Sequence, residues 1–315
     1  MGDYATMTRT ARLHASPYLL LALTAFFWSL NWVTGRALAG HVSPLALAYL
    51  RWVVALAAML PFAWREIHAH RAAIRRHWRT IAWLGFWGMG LQNAFTYVGL
   101  QYTTATNGVI LNSSVPVMIV VLAWALYRET ITRLQLLGVA ISLAGIVTII
   151  SRGNPSALAQ LQLNKGDLIV LTGMAFWAAY TVFLRAKPPG LPPLALLTCL
   201  GLVGFVLLTP LAAAEMLFLG GHVELTPATV AAILYVGTFP SFVAYIFWNR
   251  GVAEVGPQVA GVFMHLMPAF GVVLAWMFLG ERLYLFHWVG IALILAGIAL
   301  ATRGEKRGLP EPIPE

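Results

Sequence analysis

Few residues in this sequence can do chemistry, and most of those recur at helical spacings within apolar stretches. Trp28, Asn31 and Trp32 stand at i, i+3 and i+4, which puts them on one face of a helix. Asn93 and Tyr97 are four apart, as are Ser241, Tyr245 and Asn249 in succession, and Trp177 and Tyr180 are three apart. Asn107, Asn112, Ser114, Gln258 and His265 complete the set. Aromatic walls carrying a few placed polar groups are the common lining of a small-molecule pocket. The competing role for these Trp and Tyr residues is helix-packing filler. For the Asn residues it is an interhelical hydrogen bond, worth roughly 0.6 kcal/mol. Trp64, Trp78, Trp83, Trp124, Trp276 and Trp288 differ: they fall near the ends of apolar stretches, where an interfacial aromatic belt explains them.

Two ionisable groups inside apolar stretches are the sharpest pointers. Arg51, the seventh residue after Pro44, either binds a carboxylate or phosphate or snorkels outward and pairs with nothing. His265, three residues before Pro268, either switches protonation near neutral pH or hydrogen-bonds as a neutral imidazole. Glu129 and Glu281 sit at segment ends, where solvated or helix-connecting carboxylates are ordinary. No Asp or Glu lies deep in an apolar segment, so the sequence offers no carboxylate proton relay. Glu66, His68, His70 and His77 lack zinc-protease spacing and are surrounded by arginines, so no metal site is expected. Neither a Gly-rich phosphate loop with Lys nor a nucleophile–base set is present, so neither a cofactor nor an enzyme activity is expected.

The elements that must position these residues follow from composition. Of 315 residues, 60% are hydrophobic and 10% charged, against about 25% charged in soluble proteins. Mean hydropathy is +0.78. These values exclude a soluble enzyme, a disordered tail and a fibrous repeat. Ten apolar segments are predicted, at 17–38, 44–64, 80–100, 104–126, 134–151, 167–185, 194–218, 228–249, 257–279 and 284–302. A helical span takes about 20 residues. The first segment exceeds the roughly 7–15 residues of a signal-peptide core and contains Asn31 and Arg36, so it is read as an uncleaved span. With the N-terminus inside, fifteen Lys and Arg fall in inner segments and four in outer loops, with Arg51 inside a span. That bias predicts cytoplasmic termini and explains the net charge of +9 without nucleic acid. The lone Cys199 excludes a disulfide within the chain.

An internal repeat organises the segments. Phe27-Trp28 recurs as Phe176-Trp177, Arg36 as Arg185, Pro44-Leu-Ala-Leu as Pro193-Leu-Ala-Leu and Pro61 as Pro210, at an offset of 149. Later the offset is 152: Pro116, Trp124, Glu129 and Gly138 match Pro268, Trp276, Glu281 and Gly290, and Leu143-Ala-Gly-Ile matches Leu295-Ala-Gly-Ile. Each half holds five spans, an odd number, so the copies are predicted to lie in opposite orientations. Inverted repeats let a carrier adopt two oppositely facing conformations. The expected fold is an all-α integral membrane protein of ten helices. Residues 17–151 and 167–303 form its two repeats, 152–166 an outer connecting loop, and 1–16 and 304–315 cytoplasmic tails. Pro116, Pro268 and Pro240 (opposite Gly88) are candidate hinges, since each removes a helix hydrogen bond.

The doubled Phe-Trp, the Pro followed thirteen residues later by Glu, and the Leu-Ala-Gly-Ile ending together resemble the EamA-type branch of the drug/metabolite transporter superfamily. Gly280-Glu281 fits that pattern, whereas Arg128-Glu129 departs from it. The resemblance implies a carrier in the inner or plasma membrane that exports small metabolites such as amino acids, or drugs, by alternating access. It also implies a cavity lined by the first, third and fourth helices of each half, with the fifth helices outside. A channel is the alternative and a membrane-embedded enzyme a distant third. Expected partners are a small-molecule substrate and the bilayer. The small-residue faces Gly138/Gly145 and Gly290/Gly297 permit either a homodimer contact or internal packing.

Overall fold

The computed structural model describes residues 16–38, 40–103, 108, 111–154, 164–279 and 282–303. Asn107, Gly280, Glu281 and the two tails lie outside the described residues, as does the side chain of Arg36. The described chain is helical: α1 (Pro17–Ala37), α2 (Pro44–Ala69), α3 (Arg71–Arg76), α4 (Trp78–Gly85), α5 (Gln92–Gly99), α6 (Val115–Tyr127), α7 (Arg133–Ile150), α8 (Lys165–Phe183), α9 (Pro193–Phe218), α10 (Pro227–Thr238), α11 (Ala244–Val262), α12 (Leu266–Leu279) and α13 (Leu285–Arg303). Two π-helical segments, Phe86–Leu91 and Phe239–Val243, join α4 to α5 and α10 to α11. Among the described residues, extended pairing is confined to one antiparallel bridge, Val42 with Val223.

Local chemistry explains where the helices begin. Pro44, Pro193 and Pro227 occupy first turns, where a missing N–H costs nothing. Thr132 with Gln135 and Asn164 with Asp167 form reciprocal capping boxes that start α7 and α8. Among the described residues, seven helical stretches are long and apolar enough to cross a membrane. One of them, Pro227–Leu274, has 48 residues. A straight helix of that length would reach about 72 Å, over twice the roughly 30 Å hydrocarbon core. Gly256, at φ 81° and ψ 161°, breaks it, and Pro257 has no N–H with which to bridge the break. The protein is a multi-pass membrane protein.

Two predicted segments look different in the structure. The segment at 80–100 is Trp78–Gly99, interrupted by a π segment, and the segment at 104–126 is broken by a turn at Ser113 and Ser114, between the helical residues Gly108, Leu111 and Asn112 and the helix that starts at Val115. Hydropathy registers apolar content, not departures from the i→i−4 ladder. Pro116 accordingly sits in the first turn of α6, at a break within the span. Pro268 is the third residue of α12, just after the 3-10 turn Phe263–His265. Pro240 lies within a π segment. All three prolines mark places where α geometry stops, as their lost N–H requires.

Helices α7 and α13 share the most extensive contact. A Cβ on Gly138 would fall 2.5 Å from the Gly297 carbonyl oxygen, and one on Gly145 would fall 2.6 Å from that of Gly290. Both small-residue faces are therefore used within the chain. The six tryptophans assigned to the aromatic belt are all exposed.

Candidate functional site

The candidate site is a cavity of about 50 Å³ between α1, α2, α5, α8 and the second half's helices. By that measure a water needs about 10–15 Å³, so the space holds roughly three to five waters. Trp28, Asn31, Trp32, Arg51, Asn93, Tyr97 and Asn112 reach it from the first half, and Trp177 and Tyr245 from the second.

Arg51 organises the polar side. It is only 4% exposed. Its Nε donates to Ser241 Oγ at 2.7 Å, and its Nη1 donates to Asn93 Oδ1 at 2.6 Å and to the Tyr97 hydroxyl at 3.1 Å. The chain continues from the Tyr97 hydroxyl to Asn31 Oδ1 at 3.3 Å. Ser241 Oγ in turn donates to the Val236 carbonyl at 2.7 Å. Each acceptor is neutral, and among the described residues no carboxylate pairs with Arg51. The guanidinium does not snorkel: Ser241, Asn93 and Tyr97 hold it inside.

The aromatic side is built on the two π segments. A π turn widens the backbone ring and leaves carbonyls free for other donors. Trp28 Nε1 donates to the Pro240 carbonyl at 3.0 Å, and Trp52 Nε1 to that of Met89 at 3.1 Å. The Tyr245 hydroxyl reaches the Gly88 carbonyl at 3.1 Å. The Trp28 and Tyr245 bonds join a side chain of one half to a backbone carbonyl of the other, while the Trp52 bond lies within the first half. The Trp28 and Trp177 rings meet edge to face, 5.0 Å apart at 89°, and Tyr245 stands edge-on to Trp177 at 5.5 Å. Such pairs add about 0.5–1.5 kcal/mol beyond area burial. Trp177 Nε1 is buried and has no acceptor among the described residues.

Among the described residues, six of those predicted do not line this cavity: Ser114, Tyr180, Ser241, Asn249, Gln258 and His265. The Tyr180 hydroxyl donates to Asn249 Oδ1 at 2.6 Å, so these two satisfy each other in a buried pair. His265 is fully buried, with Nδ1 2.6 Å from Ser142 Oγ and Nε2 3.1 Å from the Ser113 carbonyl oxygen. It ties the 3-10 turn before α12 to α7 and to the turn before α6. Conversely, Gln92, Thr96, Leu100, Met174, Met264 and Met267 line the cavity without having been singled out by sequence. Gln92 and Thr96 were detectable, because they extend the Asn93/Tyr97 stripe at the same four-residue step. Nothing in their types marked the leucine and the methionines.

The helix ends flanking the site are also tied. Arg185 forms an ion pair with Glu129, which also accepts a bond from Gln258 Nε2 at 3.4 Å. In the loops after α1 and α9, His41 Nδ1 lies 2.6 Å from Glu224 Oε2, and Glu215 accepts from the Leu45 and Ala46 amides. The His41 hydrogen bond and charge hold the Glu224 carboxyl below its ordinary pKa. Among the described residues, no three His, Cys, Asp or Glu side chains converge as a metal-ligand set.

Comparison with known proteins gives this geometry a family. The "Uncharacterized transporter YyaM" of Bacillus subtilis (strain 168) is 26% identical over 289 residues, covering 92% of this chain and 94% of that one. An "Uncharacterized transporter" of Archaeoglobus fulgidus is 28% identical over 297 residues, covering 92% and 98%. Both relatives are named as transporters, not enzymes. A solved structure titled only "Crystal structure of protein" superposes with a TM-score of 0.72, covering 91% of this chain and 96% of that one, and its 19% identity supports the fold alone. The model of the EamA-like transporter family matches twice, over residues 15–151 and 164–303. With both halves matched, the chain belongs to the EamA-like transporter family.

Proposed function

We propose that this transporter is a secondary carrier that moves small metabolites through the central cavity by alternating access. Its ten spans are read as two inverted repeats of five, with both termini in the cytoplasm and the chain in the plasma membrane. The ten-span reading counts Trp78–Gly99 as one span across its π segment and adds α6 with the residues before it. It also divides the 48-residue stretch at Gly256. The excess of Lys and Arg in the inner segments supports the orientation.

The observation that carries the reading is a cavity walled by both halves, with Trp28 bonded to the π segment of one half and Tyr245 to that of the other. A wall held by bonds between the halves changes shape when the halves move relative to each other. The π segments and the Gly256 break are the backbone positions best able to absorb that motion. Arg185–Glu129 at one end, and His41–Glu224 with the Val42–Val223 bridge at the other, are read as the two closures; both are formed in this structure, and alternating access requires each to open in turn.

Efflux and counterflow of a labelled metabolite mixture from proteoliposomes tests the proposal. Saturable efflux, stimulated by unlabelled solute on the opposite side, is expected, together with its loss in Trp28→Ala and Trp177→Ala. Flux that neither saturates nor shows counterflow indicates a channel instead. Undiminished flux in both variants removes the cavity from the pathway.

A further inference from the structure

Arg51 is a buried cation on a cavity wall, and charges of that kind are normally paired. Its three bonds go to neutral oxygens, which satisfy Nε and Nη1 but leave the charge uncompensated. Nη2 has no acceptor among the described residues. The guanidinium is planar and presents its donors as a fork, which matches a carboxylate. Trp177, which also lines the cavity, buries an Nε1–H with no acceptor among the described residues. Trp87 and Trp248 do the same, but of the repeat pair Trp28 and Trp177 only Trp177 is orphaned, since Trp28 spends its N–H on the Pro240 carbonyl.

The remaining lining narrows the class. No Asp or Glu lies among the described lining residues, so an ammonium group would meet Arg51 with no counter-ion. A phosphate dianion would bring two charges against one cation. Much of the remaining lining is apolar, with Trp28, Trp32, Met264 and Met267. The enclosed space of about 50 Å³ restricts the ligand to a small molecule. We propose that Arg51 makes this cavity a receptor for a small organic monocarboxylate, bound through its carboxylate with its apolar body against the tryptophans and methionines. The inference rests on the carrier reading for transport, but not for binding.

The test uses the full chain, purified in detergent, and a panel of monocarboxylates from acetate to benzoate and phenylacetate. Each acid is titrated against its own amide and its own amine, with intrinsic Trp fluorescence and calorimetry as readouts. At least one acid should bind roughly tenfold or more tightly than its amide, as a charge-assisted bond implies, and the amines should not compete. Arg51→Gln should erase the acid-over-amide preference, and Arg51→Lys should keep part of it. If no acid outbinds its amide in the wild type, the proposal is overturned, whatever the variants do. An acid preference that survives in a monodisperse Arg51→Gln protein overturns it too. Proteoliposome counterflow separates the two readings. Counterflow indifferent to solute charge and to Arg51→Gln leaves the carrier standing and removes this inference. Arg51-dependent acid binding without counterflow does the reverse.

Discussion

The two halves contain the same polar pair built in reverse. In the first half the Tyr97 hydroxyl donates to Asn31; in the second the Tyr180 hydroxyl donates to Asn249. Through the repeat offsets of 149 and 152, Asn31 corresponds to Tyr180 and Tyr97 to Asn249, so tyrosine and asparagine have exchanged helices. The first pair borders the cavity and shares Tyr97 with Arg51. The second is sealed, and the position matching Arg51 is the fully buried Leu200. The tryptophans differ in the same way. Trp28 finds a carbonyl in the opposite π segment, whereas the Gly88 carbonyl that would serve Trp177 by symmetry is taken by Tyr245. The repeat therefore supplies a frame that both halves share, while ligand chemistry collects at the few places where the halves differ.

The sharpest way to break that comparison is to impose Arg51 on the other half. Leu200→Arg places a guanidinium at a fully buried site with no acidic partner in evidence. An uncompensated buried charge costs about 3–5 kcal/mol. Thermal melts should show loss of the folded protein, or a Tm lowered by many degrees. Arg51→Leu should cost less, about 1–3 kcal/mol, because it leaves the Asn93 and Ser241 oxygens short of a donor but removes an unpaired buried charge. Equal losses in the two variants would mean that Arg51 is a strut rather than part of a receptor.

The seam between α7 and α13 is where the halves should instead behave alike. Gly138 and Gly290 are repeat mates, and in each the added Cβ meets either side-chain or backbone atoms closer than 2.6 Å. Gly138→Val and Gly290→Val should each cost about 1–3 kcal/mol by overpacking. Matched unfolding curves check this. Losses differing by more than that range would deny the seam its symmetry.

How much of this was legible in the sequence depends on how far apart the partners lie in the chain. Helical spacing alone collected Trp28, Asn31 and Trp32 on one face and Asn93 with Tyr97 on another, and the structure brings these faces to one cavity with Arg51. Spacing could not separate Tyr180 and Asn249 from that set, because what withdraws them is a bond spanning 69 residues. His265 carried the same ambiguity: Ser142, on a helix 123 positions away, decides its role. The π segments left no pattern in hydropathy, since they alter the backbone ladder while the side chains stay apolar. The repeat did place them in register, since Gly88 and Pro240 occupy corresponding positions within them.

A smaller effect probes the two indoles directly. Trp28→Phe removes the donor to the Pro240 carbonyl and leaves that buried oxygen short of a partner. The loss should be about 1–3 kcal/mol in denaturant unfolding. Trp177→Phe removes a donor that bonds to nothing described, so stability should hold or rise slightly. The carboxylate preference should weaken in Trp177→Phe and persist in Trp28→Phe. If both variants lose equal stability, the asymmetry of the two tryptophans has no energetic content.

The smallest effect contrasts the two ends of the helices. Arg185 and Glu129 are both partly buried, whereas His41 and Glu224 are about half exposed, so solvent screens the second pair more strongly. The Glu224 carboxyl is held below its ordinary value, first by the hydrogen bond from His41 and then by its charge. A depressed carboxyl pKa stabilises the pair above the ordinary value, and that contribution fades as pH falls through the lowered one. Acidifying from about pH 5 to pH 3 should therefore loosen the bridge, where the Ser43 amide donates to the His222 carbonyl and the Glu224 amide to that of His41. Lower protection factors at those two amides, after correction for the intrinsic slowing of exchange in acid, are the expected signal, and Glu224→Gln should remove their pH dependence. Protection factors that stay flat across that pH range would show that the backbone bridge, not the ion pair, keeps this end closed.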